Sequence, residues 1–174
     1  MLEEALELIT RFRCDGTHLH SITNSVAQNF TANVLLACGA SVSMTANPHE
    51  IEAFVGKANG LHINLGTLDT QRESAIRKAV KAANVLDIPV VLDPVMVHRS
   101  PIRLEVAKEL LNGTGIVKCN RLEAEALAIN SAANCLVKTG EIDTICFRNQ
   151  KLHVKNGTPM LASTIATGLS LIHI

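Results

Sequence analysis

Tryptophan and tyrosine are absent from this 174-residue chain, and phenylalanine occurs only four times. Proteins that bind nucleic acid need rings to stack on bases and an excess of positive charge. Here 16 basic residues balance 16 acidic ones, so nucleic acid is not an expected partner. The five cysteines, Cys14, Cys38, Cys119, Cys135 and Cys146, are odd in number, widely spaced and without a Cys-x-x-Cys pair. That spacing points away from a disulfide framework or a zinc site, and the cysteines read mostly as small buried hydrophobes. No apolar run is long enough to cross a bilayer, and Met1-Leu2-Glu3-Glu4 places no basic region ahead of an apolar one. A cytoplasmic location without a membrane partner is therefore expected. Repeats, low-complexity tracts and linkers are also missing, and the length, with 47% hydrophobic residues, suits one domain with a substantial core.

Among what is there, Pro89-Val90-Val91-Leu92-Asp93-Pro94-Val95 stands out, because a β-branched apolar run ends abruptly in a carboxylate followed by proline. A strand apolar on both faces is expected in a parallel sheet, and Pro94 cannot continue the ladder. Asp93 is thus placed at the carboxyl end of a strand, the edge where open parallel sheets bind ligands.

The rest of the chain alternates around that strand. Residues 2–12 carry apolar side chains at helical spacing, and Thr17-His18-Leu19-His20-Ser21-Ile22-Thr23-Asn24 reads as a short strand running into a polar turn. A helix is predicted over 26–38, with Val26, Phe30, Asn33, Val34 and Ala37 on one stripe, Gly39 as its stop and Asn24 or Ser25 as its N-cap. After a brief strand or loop at 40–44 and a helix at 48–56, Leu61-His62-Ile63-Asn64-Leu65 alternates in period two and stops at Gly66-Thr67. His62 and Asn64 share a face, with structural roles the favoured reading for both. The clearest helix is 71–86, followed by the Asp93 strand, a helix at 103–111, and a strand from Gly115 that ends at Asn120. A helix at 121–129, a strand at 135–138 ending at Thr139-Gly140, and a hairpin of 143–147 with 152–154 complete the pattern. Strand and helix in alternation predict an α/β fold with a mostly parallel sheet and right-handed crossovers.

Such a sheet would bring Thr23-Asn24, Gly66-Thr67, Asp93-Pro94, Asn120 with Glu123, and Thr139-Gly140 to one edge. Two carboxylates, one cation at Lys118 and amides at helix starts suit a Mg²⁺-bound phosphate better than a transition metal, and phosphoryl transfer is the natural reaction class. Each element alone also has a structural reading: Asp93 and Glu123 as helix-end residues, Lys118 as a solvated charge. Neither G-x-x-x-x-G-K-[ST] nor G-x-G-x-x-G is present, so neither a P-loop nor a dinucleotide fingerprint is supported.

The spacing also resembles a known family. Ser21-Ile22-Thr23-Asn24, followed by the run from Asn29-Phe30-Thr31-Ala32-Asn33 to Gly39-Ala40-Ser41, is similar to the amino-terminal signature of hydroxyethylthiazole kinases. Ile63-Asn64-Leu65-Gly66-Thr67, Leu92-Asp93-Pro94-Val95, Asn120 with Glu123, and Thr139-Gly140-Glu141-Ile142-Asp143 follow in the family's order. The resemblance implies a three-layer αβα, ribokinase-like fold and a homotrimer with active sites between subunits. It also implies ATP- and Mg²⁺-dependent phosphorylation of 4-methyl-5-(2-hydroxyethyl)thiazole in thiamine salvage. By the same resemblance Asn24, Val26, Met44, Gly66 and Ala166 shape the thiazole pocket, and Lys118 and Thr139 contact ATP. Thr167 and Gly168 belong to the anion loop, and Asp93 and Glu123 lie on the metal side, directly or through water.

Three departures from the family pattern stand out. Lys118 replaces an arginine and Cys119 the glycine after it, so the charge is kept but the planar fork is lost. Residues 124–134 form a shorter connection than the family carries. Leu169 stands where a catalytic cysteine would follow Gly168, so no catalytic residue is assigned in this chain and little turnover of its own is expected. Residues 1–168 are expected to form a single partial kinase domain. Leu169-Ser170-Leu171-Ile172-His173-Ile174 matches nothing in the family and reads as a non-native tail, one frame of a transposon-end adaptor. Two alternatives carry different chemistry: an ADP- or ATP-dependent dehydratase of hydrated nicotinamide nucleotides, and a noncatalytic nucleotide- or thiazole-binding protein.

Overall fold

The computed structural model describes residues 2–129, 135–148, 150–155 and 157. The chain opens with α1 (Leu2–Cys14), acidic in its first turn and basic in its last, as the helix dipole favours. Then come β1 (His18–Ile22), α2 (Gln28–Cys38), β2 (Ser41–Ser43), α3 (Ile51–Val55), β3 (Gly60–Asn64) and α4 (Thr70–Val85). The Asp93 strand is β4 (Val90–Asp93), followed by α5 (Pro101–Leu110), β5 (Ile116–Asn120) and α6 (Arg121–Leu127). The last described elements are β6 (Cys135–Thr139), β7 (Asp143–Phe147) and β8 (Gln150–Val154). Local signals set several boundaries. Asp69 and Ser100 accept the third backbone N–H of α4 and α5, and Pro101 opens α5, where its missing N–H costs nothing.

All eight strands join one sheet in the order β2-β1-β3-β4-β5-β6-β7-β8. β1 to β6 pair in parallel and β6-β7-β8 antiparallel, so the predicted hairpin closes one edge. Registers place Asn64 opposite Asp93 and Asn120 opposite Thr139. One sheet face, with Ile22, Leu61, Ile63, Val90 and Leu92, packs against α3, α4, α5 and α6 through Val55, Ile76, Ala79, Val106 and Leu127. The other face carries Ser21, His62, Asn64 and Asp93. All five residues of β3 are buried, as expected of a central parallel strand covered on both sides.

The α2 region departs from the sequence reading. Val26 precedes the helix, whose N-cap position is Ala27 with no side-chain cap. Asn24 instead accepts the Ala27 N–H in the turn before it, at 2.9 Å. The apolar stripe faces outward, with Val26 63% and Phe30 51% exposed, while Ala27, Thr31 and Leu35 are buried. Periodicity identifies a face but not what that face meets. The predicted stop holds: Gly39 has φ 102°, and the N–H groups of Gly39 and Ala40 close on the carbonyls of Leu36 and Leu35 at 3.0 Å each. A Cβ at Gly39 would sit 2.7 Å from Arg13 Cγ as well as in a left-handed conformation. Gly39→Ala is expected to lower the unfolding free energy by about 1–2 kcal/mol in urea titrations.

Candidate active site

The register that sets Asn64 beside Asp93 creates a polar row across the carboxyl ends of three strands. Asn64 Oδ1 accepts from the Gly66 N–H at 2.9 Å and from Asn24 Nδ2 at 3.0 Å. The main-chain donor fixes the amide's orientation, so Asn64 Nδ2 donates to Asp93 Oδ2 at 2.9 Å. Lys118 Nζ reaches the same oxygen at 3.0 Å, with both side chains largely buried. Asp93 Oδ1 is buried and has no partner. Burial holds the Asp93 carboxyl above its ordinary range, against the pull of the Lys118 ammonium.

Glu123 is held differently. Asn120 and Glu123 form a reciprocal capping box at the start of α6: Asn120 Oδ1 accepts from the Glu123 N–H at 3.0 Å, and Glu123 Oε2 from the Asn120 N–H at 2.9 Å. Glu123 Oε1 accepts from the Met96 N–H at 2.9 Å, where Met96 adopts φ 62°. Both Glu123 oxygens are therefore engaged by the main chain. Between the two acids, the Cys119 thiol is pushed up to about 12 by burial and by Glu123 and Asp93, which leaves it unreactive. Thr139 closes β6 opposite Asn120, its hydroxyl 3.5 Å from the Cys119 carbonyl.

Beyond Asn24 lies a cavity of about 260 Å³, lined on its apolar side by Ile22, Met44 and Ala46 and on its polar side by Thr23, Thr67 and Arg72. A Cβ at Gly66 would lie 2.9 Å from both Asn24 Cβ and Asn64 Oδ1, so only glycine lets the two turns meet there. Of the residues singled out from sequence, Asn24, Gly66, Asp93 and Lys118 are joined through Asn64, Met44 lines the cavity, and Glu123 and Thr139 sit on the adjoining strand ends. Val26 is exposed and is not among the residues lining this cavity. Ala166, Thr167, Gly168 and Leu169 lie outside the described residues.

Sequence reasoning missed two contributors. Asn64 was assigned to structure, yet it links the turns at Asn24 and Gly66 to Asp93. Arg72 donates to the carbonyls of Thr23, Asn64, Gly66 and Thr67. The available signal was a cation in the first turn of a helix, where the dipole disfavours it.

The carboxyl edge thus presents one free carboxylate oxygen and a buried ammonium beside a half-polar cavity. Among the described residues no three His, Cys, Asp or Glu side chains are grouped to cage a metal ion. The fold is of the ribokinase-like α/β type. At the level of fold alone, adenosine kinase from Schistosoma mansoni in complex with tubercidin, 11% identical, matches with a TM-score of 0.59 over 96% of this chain and 68% of its own.

The chain belongs to the hydroxyethylthiazole kinase family, whose sequence model matches residues 9–134. It is 39% identical to the "Probable hydroxyethylthiazole kinase" of Agrobacterium fabrum, over 94% of this chain and 67% of that one. It is 34% identical to the hydroxyethylthiazole kinase of Pectobacterium atrosepticum, over 97% and 74%. The solved hydroxyethylthiazole kinase structure from Pyrococcus horikoshii, 31% identical, matches with a TM-score of 0.92 over 98% of this chain and 74% of its own. Across these relatives the chain spans between 67% and 74% of their length.

Beneath the row, His62 Nδ1 is hydrogen-bonded to Ser21 Oγ at 2.8 Å, and its Nε2 is buried without a partner. Burial, helped by the Lys118 charge, lowers its pKa from 6.5 to about 3. Unfolding lets this imidazole take up a proton anywhere between those values, so stability falls as pH drops through that window. His62→Gln is expected to remove close to one proton from the acid dependence, measured as unfolding free energy against pH between about 4 and 7.

Proposed function

We propose that this site serves the ATP-dependent phosphorylation of the side-chain hydroxyl of 4-methyl-5-(2-hydroxyethyl)thiazole, with Mg²⁺, in thiamine salvage in the cytoplasm. The observation that supports this most directly is the chain of hydrogen bonds from Asn24 through Asn64 to Asp93, which ties the turn beside a small cavity to a charged strand edge. Ile22, Met44 and Ala46 would receive the apolar ring, with Asn24 and Gly66 shaping the end nearest Asp93. Lys118 spends one ammonium donor on Asp93 and keeps two for phosphate oxygens, and Thr139 lies on the neighbouring strand end.

Asp93 fits the family's Mg²⁺, because its Oδ2 is saturated and its buried Oδ1 is free. Glu123, with both oxygens engaged, would contribute only through water. When bound, Mg²⁺ neutralises phosphate charge as it builds during transfer. A homotrimer forms part of this reading, supported by the exposed apolar side chains Val26, Phe30 and Leu36 beside the Asn24 turn.

Leu169 offers no group to accept the alcohol's proton, so binding with slow turnover is expected. Calorimetric titration with thiazole alcohol and with ATP–Mg²⁺ tests the two halves of the site, and failure to bind either would overturn the assignment. Leu169→Cys is expected to raise turnover at least about tenfold in a coupled ADP-release assay. Binding without turnover in both forms would instead favour a noncatalytic thiazole- and nucleotide-binding protein. Turnover of a hydrated nicotinamide nucleotide would favour the dehydratase. Asp93→Asn is expected to weaken the Mg²⁺-dependent part of nucleotide affinity by about tenfold or more, with thiazole affinity little changed.

A further inference from the structure

We propose that Arg72 is the positioning residue of the acceptor cavity, its guanidinium locking the turns after β1 and β3 together by their main-chain carbonyls. This rests on the reading of that cavity as the thiazole-alcohol site. Nη1 donates to Gly66 O at 2.6 Å, Thr67 O at 2.7 Å and Thr67 Oγ1 at 3.0 Å. Nη2 donates to Thr23 O at 2.8 Å and Asn64 O at 3.2 Å. The acceptors come from two chain segments on neighbouring strands, and one planar fork spans both. Lysine, a single point charge, cannot do so.

The turns held in this way are ones the chain would not otherwise keep. Thr67 sits at φ 44°, in the left-handed region. Gly66 is pressed against Asn24 and Asn64. The Ser25 N–H donates to Thr67 Oγ1 at 3.3 Å, so the β1 turn leans on a residue that Arg72 fixes. Thr23 and Thr67, which line the cavity, and the turns of Asn24 and Gly66 beside them are thereby set by a residue on α4. The position also costs the helix: a cation in the first turn opposes the dipole, and none of the five bonds is to α4 itself.

The test uses the full 174-residue chain and compares Arg72→Ala and Arg72→Lys with the unsubstituted protein. The first readout is amide hydrogen exchange. Both variants should lose protection at Ser25 and Gly66, whose N–H groups are hydrogen-bonded, while the interior of α4 stays protected. The second readout is calorimetry: affinity for 4-methyl-5-(2-hydroxyethyl)thiazole should fall about tenfold or more, with affinity for ATP–Mg²⁺ within about threefold. Added methylguanidinium should restore thiazole binding to Arg72→Ala but not to Arg72→Lys. A merely structural role would lower both affinities together and show no rescue, and either result overturns the proposal. Retained protection at Ser25 and Gly66 in Arg72→Ala would overturn the role of Arg72 while leaving the cavity assignment standing. Absence of thiazole binding by the unsubstituted chain would overturn the cavity assignment itself.

Discussion

A buried carboxylate must be held by partners on one side to offset its lost hydration and left open on the other to be useful. Asp93 meets both conditions: its Oδ2 is shared by the Asn64 amide and the Lys118 ammonium, and its Oδ1 is free. The arrangement follows from the parallel register that sets Asn64 beside Asp93. Lys118, from the next strand, pulls the Asp93 pKa down, although burial still holds it above its ordinary range. Asn64 then carries the constraint on to Gly66 and Asn24, so the turns after β1 and β3 are tied to the acid by side-chain hydrogen bonds.

This arrangement divides the labour of the two sheet faces. The face with Leu61, Ile63, Val90 and Leu92 is packed with helices and provides the bulk of the apolar burial. The opposite face carries Ser21, His62, Asn64, Asp93 and Lys118, a polar row that a core would not contain unless nearly every atom were paired. Pairing holds for most of the row, and the exceptions are instructive. Asp93 Oδ1 lies at the strand edge, where a ligand can satisfy it. His62 Nε2 lies one step deeper, where the imidazole remains neutral beside a lysine.

Much of this was legible from sequence where the signal was local. The strand ending in Asp93, the stop at Gly39, the Asn120–Glu123 pair and the Asn64-Leu65-Gly66-Thr67 tip each carry their meaning within a few residues. The fold class follows from their alternation. What was not legible depends on contacts distant in sequence. Asn64 reads as an ordinary polar residue of a half-buried strand until β4 is laid beside it. Arg72 looks like a solvated helix charge, because its acceptors are carbonyl oxygens, which every residue has and no motif marks. Conversely, the stripe through Val26 and Phe30 was plain in the sequence, but its outward direction was not. Packing against another element, not periodicity, decides which side of a short helix is inside.

Glu123 has a consequence for the shape of the site. Its two oxygens grip the amides of Met96 and Asn120, 27 and 3 residues away, from the turns that follow neighbouring strands. The separation of two oxygens on one carboxylate is fixed by covalent geometry, so the side chain acts as a caliper with a single setting. It gauges the gap between those turns, and the mouth beside Asp93 keeps its width without either turn being rigid in its own right. A shorter aspartate would close the caliper, and an amide would turn one jaw from acceptor to donor. Fold and site here share a single ruler, drawn to the dimensions of one functional group.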